Sequence, residues 1–271
     1  MHNIDYQSRY GKISYCDNKS NKVTILFIHG LSLSKDVFYR QIETLKNDFR
    51  IITIDFLGHG KSDDAIDPHI AYSIPGFADS LIELLNFLDI KKLFIYGWSL
   101  GGAVALQLLE NFSGVQKIIL DGYPPVSYKE NNFENVYIFN ESTHLLFKKN
   151  YTVEEAQFYL DFGGIQESCD HSKIHIQKIL NSVLRSSGIM REYVMNSIMN
   201  FEGVSPKECV EKNKDKIKLL IGENDPGFHK SYIREYFNDV SIFFNDTGHS
   251  CFWEHPKHVE DIIYSFFSKS K

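Results

Sequence analysis

The 271-residue sequence has no apolar run approaching the roughly 18–20 residues needed to cross a bilayer. A membrane-spanning protein is therefore not expected. Cysteine is scarce: Cys16, Cys169, Cys209 and Cys251 lie far apart, with no C-x-x-C pair. That scatter argues against a disulfide framework and for reduced, mostly structural thiols in a cytoplasmic protein. The opening residues Met1-His2-Asn3-Ile4-Asp5-Tyr6-Gln7 lack the charged and apolar regions of a signal peptide, in keeping with that location. Basic clusters are missing too. With 29 Lys+Arg against 35 Asp+Glu, a net charge of −6 and no basic tract, the chain has nothing with which to neutralise a phosphate backbone, so no nucleic-acid partner is expected. Internal repeats and low-complexity segments are absent.

What remains has the hydrophobic share (43%) of an ordinary globular protein, patterned in a regular rhythm. Val23-Thr24-Ile25-Leu26-Phe27-Ile28 is a near-continuous apolar run that stops at His29-Gly30, as a strand buried on both faces would. Runs 50–55, 92–97 and 117–121 repeat it. Between them lie helical patterns: Phe77, Leu81, Leu84/Leu85 and Leu88 follow Ser73 as an N-cap with Pro75 in the first turn, and Leu100, Val104 and Leu108 follow Ser99. Strand–helix alternation of this kind predicts an α/β fold, a mostly parallel sheet covered by helices on both faces. Ile4–Ser8 and Lys12–Cys16, around Tyr10-Gly11, read as a hairpin at the sheet edge. After Asp121 and Pro124-Pro125 the rhythm breaks, and residues 123–212 show helical periodicity without a clear buried strand. It resumes with a strand at 216–222, a helix, a strand at 240–244 and a final helix. The expected organisation is a core of 1–122 and 213–271, with 123–212 as a helical lid.

The chemistry concentrates at four places. Gly97-Trp98-Ser99-Leu100-Gly101-Gly102 sits where a buried strand meets a helix, the setting of a G-x-S-x-G nucleophile elbow. Small residues two positions either side of the serine let strand and helix approach, and the helix N-terminus directs N–H groups toward an oxyanion. Ser99 is the expected nucleophile. A hydroxyl needs a base. His249, in Thr247-Gly248-His249-Ser250, follows the last strand and falls at the carboxyl end of the sheet, where ligand sites gather. The acid that orients it is read as Asp225, in Gly222-Glu223-Asn224-Asp225-Pro226, giving the chain order Ser, Asp, His. Asp121, which also ends a strand, is the rival acid, and Glu223 a lesser one. The oxyanion donors are expected from the backbone of Leu100 and of Leu31, in the His29-Gly30-Leu31-Ser32 loop, with His29 anchoring that loop. Gly30 and Trp98 are expected to line the pocket.

These motifs, with Asp55-Phe56-Leu57-Gly58-His59-Gly60-Lys61-Ser62 and His255-Pro256, resemble the α/β-hydrolase superfamily, and in particular its capped, cofactor-free branch of serine esterases and carbon–carbon bond hydrolases. The resemblance implies about eight strands, a lid between strands six and seven, no cofactor, and an acyl-enzyme mechanism acting on a small-molecule acyl substrate. The Asp55–Ser62 stretch resembles the D-x-x-G-x-G-x-S loop that borders the pocket in that branch. Serine at the elbow separates the chain from haloalkane dehalogenases and related epoxide hydrolases, which place aspartate there. Carbon–carbon bond, thioester or amide hydrolysis would use the same triad, and a triad-retaining ligand receptor is a further alternative.

Other signals carry less. His171 and His175, spaced i,i+4, have no third ligand or H-E-x-x-H pattern, so no metal is expected there or at His255 and His258. The lid aromatics Phe133, Tyr137, Phe139, Phe147, Tyr151, Phe158 and Tyr159 suggest a substantially apolar pocket, most of them packing within the lid itself.

Overall fold

A computed structural model describes residues 1–130, 133–140, 142–166 and 173–268. Eight strands form one sheet: β1 (Asn3–Ser8), β2 (Gly11–Asp17), β3 (Thr24–Ile28), β4 (Arg50–Ile54), β5 (Leu93–Trp98), β6 (Val115–Asp121), β7 (Ile217–Gly222) and β8 (Ser241–Phe244). Their spatial order is β1-β2-β4-β3-β5-β6-β7-β8. β1 and β2 make the expected antiparallel hairpin, β2 pairs antiparallel with β4, and all later pairings are parallel. The chain steps outward from β3 to β4, then returns to place β5 on the other side of β3. Loops leaving β3 and β5 therefore diverge from adjacent strand ends and open a crevice at the carboxyl edge, where α/β sheets bind ligands.

The alternation of side chains along the strands divides the core in two. Leu26, Ile28, Ile52, Ile54, Ile95, Ile118 and Leu120 face helices Ile74–Phe87, Leu100–Asn111 and Lys230–Phe237. Ile25, Phe27, Ile51, Phe94, Tyr96 and Ile119 face helices Tyr39–Leu45 and Pro256–Phe267. Ser73 caps the first of these helices, its hydroxyl accepting from the Gly76 amide at 3.0 Å, with Pro75 in the opening turn.

Between β6 and β7 the described residues form helical segments at Phe133–Val136, Thr143–Phe147, Val153–Phe162, Lys173–Arg185, Gly188–Met199 and Pro206–Lys212. The only bridge outside the sheet in the described residues joins Tyr137 to Phe228. Val153–Phe162 starts with a capping box, Thr152 and Glu155 satisfying each other's amides. No described helix is long and apolar enough to cross a membrane. Cys16, Cys209 and Cys251 are free and buried. Cys169 and His171 lie outside the described residues.

The Asp55–Ser62 loop is built around a buried ion pair. The Asp55 carboxylate accepts from the Lys35 side chain, from the Lys35 amide at 2.8 Å and from the Lys61 amide at 2.9 Å. Ser62 Oγ donates to the Asp55 carbonyl at 2.7 Å and accepts from the Ser14 amide at 2.9 Å. A Cβ at Gly60, where φ is +48°, would collide with the Asp55 carboxylate. Both charged side chains are almost fully buried, at 3% and 1% exposure. Removing one partner strands the other without water, so Asp55→Ala is expected to cost about 3–5 kcal/mol. A lowered urea midpoint at unchanged slope would measure it.

Candidate active site

Ser99 follows β5 and begins helix Leu100–Asn111 with φ 53° and ψ −119°, a conformation that L residues avoid. The turn is held by the Ser99 amide donating to the Asp121 carbonyl at 2.9 Å and by the Gly102 amide donating to the Ser99 carbonyl at 2.8 Å. Glycine is required on either side for a simple reason. A Cβ at Gly97 would strike the Gly101 carbonyl, and one at Gly101 would strike that of Ile28. Strand periodicity explains the first: on β5, Phe94, Tyr96 and Trp98 point to one face, leaving Gly97 facing the helix that follows.

His249 follows β8 and the Thr247-Gly248 turn. Its Nδ1–H donates to Asp225 Oδ2 at 2.6 Å, and Asp225 Oδ1 accepts from the Gly227 amide at 2.8 Å. Asp225 is 1% exposed. Burial alone would lower the His249 pKa, but the adjacent Asp225 charge and hydrogen bond outweigh it, with smaller help from Asp121 and Glu254, and the net shift is upward. Nδ1 is thereby committed to the carboxylate, which leaves Nε2 as the other ring nitrogen. Trp98 Nε1 donates to the His249 carbonyl at 2.9 Å, tying the His249 backbone to the end of β5.

Among the described residues the rival acid Asp121 makes no hydrogen bond to the imidazole. Its carboxylate accepts from Tyr96 Oη at 2.6 Å and from the Cys251 and Phe252 amides at 3.3 and 3.0 Å. It thus pins the turn just after His249. Burial pushes its pKa up to about 6, against the pull of those hydrogen bonds. Glu223 is turned to Arg234.

Leu31 lies in the loop after β3. His29 anchors this loop from beneath, Nε2 accepting from the Phe56 amide at 3.1 Å and Nδ1 meeting the Gly30 carbonyl at 2.7 Å. Burial drives the His29 pKa down to about 4, so the ring stays neutral. Among the described residues no acceptor meets the Leu31 or the Leu100 amide.

Ser99, His249, Gly30, Leu31, Trp98 and Leu100 all border one cavity of ≈ 220 Å³. Its lining includes no Lys, Arg, Asp or Glu among the described residues. Five of the seven inserted aromatics, Phe133, Tyr137, Phe139, Phe147 and Tyr159, face this cavity instead of packing only against one another. Helical periodicity marks them as apolar-face residues but cannot say whether that face meets protein or empty space. Tyr123, just past β6, lines the cavity as well, its ring packed on Gly102. Sequence reading missed it, because a lone tyrosine before Pro124-Pro125 carries no motif. Cys251 is fully buried, outside the cavity lining, and burial raises its thiol pKa, so it is inert. His175 stacks on Tyr39 at 3.7 Å, while His255 and His258 pack on Phe244.

An eight-stranded, mostly parallel sheet with a sharp strand–helix turn at Ser99, at the end of β5, is the arrangement of an alpha/beta hydrolase fold. A family model of that fold matches residues 23–141. The chain is 24% identical to the AB hydrolase superfamily protein YisY of Bacillus subtilis (strain 168), covering 89% of this chain and 90% of that one. Among solved structures it is similar to the N-acyl homoserine lactonase AidH complexed with N-butanoyl homoserine, with a TM-score of 0.89, 22% identity and coverage of 99% and 97% of the two chains. It is also similar to carboxylesterase CesB (YbfK) from Bacillus subtilis, with a TM-score of 0.79, 17% identity and coverage of 100% and 92%. Together the partial family-model match and these structural likenesses show the alpha/beta hydrolase fold.

Proposed function

We propose that this protein is a serine hydrolase that cleaves small or medium, uncharged carboxylic esters through an acyl-enzyme. The observation that carries the reading is the shared cavity. Ser99 and His249 border one apolar, charge-free space, and the imidazole is oriented from behind by Asp225. A low-dielectric site without fixed charge suits a neutral acyl group and penalises an ionic one.

In the proposed cycle, Ser99 Oγ attacks the ester carbonyl carbon as His249 Nε2 takes the hydroxyl proton. The carbonyl oxygen becomes an oxyanion that accepts from the Leu31 and Leu100 amides. Collapse breaks the bond to the alcohol oxygen, which leaves with the proton from His249. Water then repeats the sequence on the acyl-enzyme, releasing the acid and restoring Ser99. A lactone, being a cyclic ester, follows the same steps and releases one hydroxy acid. The helices of 123–212 serve in this reading as the lid over the cavity, and the aromatics facing it as the surface that selects the acyl group.

The test is turnover of short p-nitrophenyl esters and neutral lactones, beside thioester, amide and carbon–carbon substrates, with fluorophosphonate labelling mapped by peptide. Multiple turnover on esters and a single label on Ser99 are expected. Turnover confined to another bond class would overturn the ester assignment. Acylation that stops after one turnover would favour a receptor.

A further inference from the structure

We propose that Arg191 and Tyr159 are positioning residues that clamp the Leu31–Ser32 loop from the inserted helices, so that the insertion shapes the oxyanion site as well as covering it. This rests on the serine-hydrolase reading above.

The loop needs such a clamp. Ser32 sits at φ 61°, a left-handed conformation that costs a non-glycine residue about 1–3 kcal/mol unless its surroundings enforce it. Within the loop the Gly30 carbonyl meets His29 Nδ1 at 2.7 Å and the Leu33 amide at 3.3 Å, and neither bond reaches Ser32 itself. The rest comes from across the chain. Tyr159 Oη, on helix Val153–Phe162, donates to the Leu31 carbonyl at 2.7 Å. Arg191 Nη1, on helix Gly188–Met199, donates to Ser32 Oγ at 3.3 Å. The first bond holds the Leu31–Ser32 peptide and the second the Ser32 side chain; the Leu31 N–H belongs to the neighbouring Gly30–Leu31 peptide, so both act on its direction through the backbone angles at Leu31.

Arg191 is well placed to transmit the geometry of the whole insertion. It is 1% exposed, and its Nε and Nη2 donate to the Lys148 and Lys149 carbonyls, both at 2.5 Å. Nη1 also reaches Ser186 Oγ at 2.5 Å, and the guanidinium lies 4.2 Å from the centre of the Tyr151 ring. One side chain thereby joins three stretches of the insertion to the core loop. No carboxylate pairs with it among the described residues. A buried arginine spread over neutral acceptors keeps its positive charge, here beside the Ser32 side chain. A purely architectural site would be served as well by an ion pair.

The test compares Tyr159→Phe, Arg191→Met and Arg191→Lys with wild type on a p-nitrophenyl ester, each normalised to active sites by fluorophosphonate end-point titration. This removes any difference in folded fraction. Loss of a clamp shifts the donor by fractions of an ångström, so kcat should fall about 10-fold in Tyr159→Phe and about 100-fold in Arg191→Met, with KM within about twofold. Arg191→Lys should recover part of the loss. A trifluoromethyl ketone, which adds to Ser99 as an oxyanion, should bind more weakly in step with kcat/KM, while inhibition by the corresponding alcohol stays unchanged. If Arg191→Met does not fold, Tyr159→Phe still decides. Titrated variants that keep wild-type kcat and ketone affinity would overturn the clamp, as would losses confined to KM. A wild type that neither turns over esters nor binds the ketone overturns the hydrolase reading first, and the clamp with it.

Discussion

Replacing Ser99 with alanine is expected to lower kcat/KM by about 10⁴–10⁶-fold and to abolish fluorophosphonate labelling. The effect is expected to be large because in the proposed mechanism this hydroxyl makes the covalent attack and no later step replaces it. Label retained in Ser99→Ala would identify a different nucleophile. The same position separates chemistry from stability. Alanine inherits the strained φ of 53°, whereas glycine adopts it freely. Ser99→Gly should therefore be equally inactive yet more stable than Ser99→Ala, by about 1 kcal/mol. Thermal denaturation of the two inactive variants checks this directly. Equal stability would mean that the elbow carries no strain.

The second large effect is expected at the acid. Asp225→Asn should lower kcat by about 10⁴-fold, because the amide no longer fixes the imidazole tautomer or stabilises imidazolium. It should also move the pH profile. In the proposed mechanism His249 must be neutral to accept the proton, so activity is expected to fall as pH drops through its pKa. In the native protein the Asp225 charge holds that pKa above the usual 6.5. Without that charge, burial dominates and the acidic limb moves to lower pH. Asp121→Asn makes the contrast. Its carboxylate accepts three donors from Tyr96 and residues 251–252, so the amide presents a donor where an acceptor is needed and costs about 1–3 kcal/mol in stability, with a far smaller loss in kcat. Its pKa is raised from 3.8 to about 6, so the folded state binds that proton more tightly and stability falls as pH rises across the interval. Asparagine should flatten that slope, as urea unfolding at several pH values would show. Loss of activity in Asp121→Asn alone would reverse the assignment of the acid.

The parallel core was legible in the sequence because burial on both faces writes itself as unbroken apolar runs. β3, β5 and β7 are apolar nearly throughout, and each falls within a residue of where the pattern places it. The elbow was legible for a local reason as well: backbone collisions at Gly97 and Gly101 involve atoms that any sequence forming this turn would share. His249 and Asp225 were legible only as strand-end residues. Asp121 satisfies the same criterion, and nothing one-dimensional separates the two. The separation lies in direction: Asp225 is turned toward Nδ1 of the imidazole, and Asp121 toward Tyr96 and the turn that follows the histidine.

The inserted helices mark the limit. Arg191 looks in the sequence like a solvated helix residue, and Tyr159 like one aromatic among several. Both are defined by partners more than a hundred residues away, Ser32 and Leu31. By itself, the sequence determined the strand–helix rhythm, the sharp turn at Ser99 and the short list of residues able to serve it, since these depend on periodicity and on contacts within a few residues. Only the tertiary structure decided which aspartate meets His249, which aromatics face the cavity and what holds the Leu31 loop. Those are matters of side-chain direction between distant segments, and the packing of the whole chain sets them.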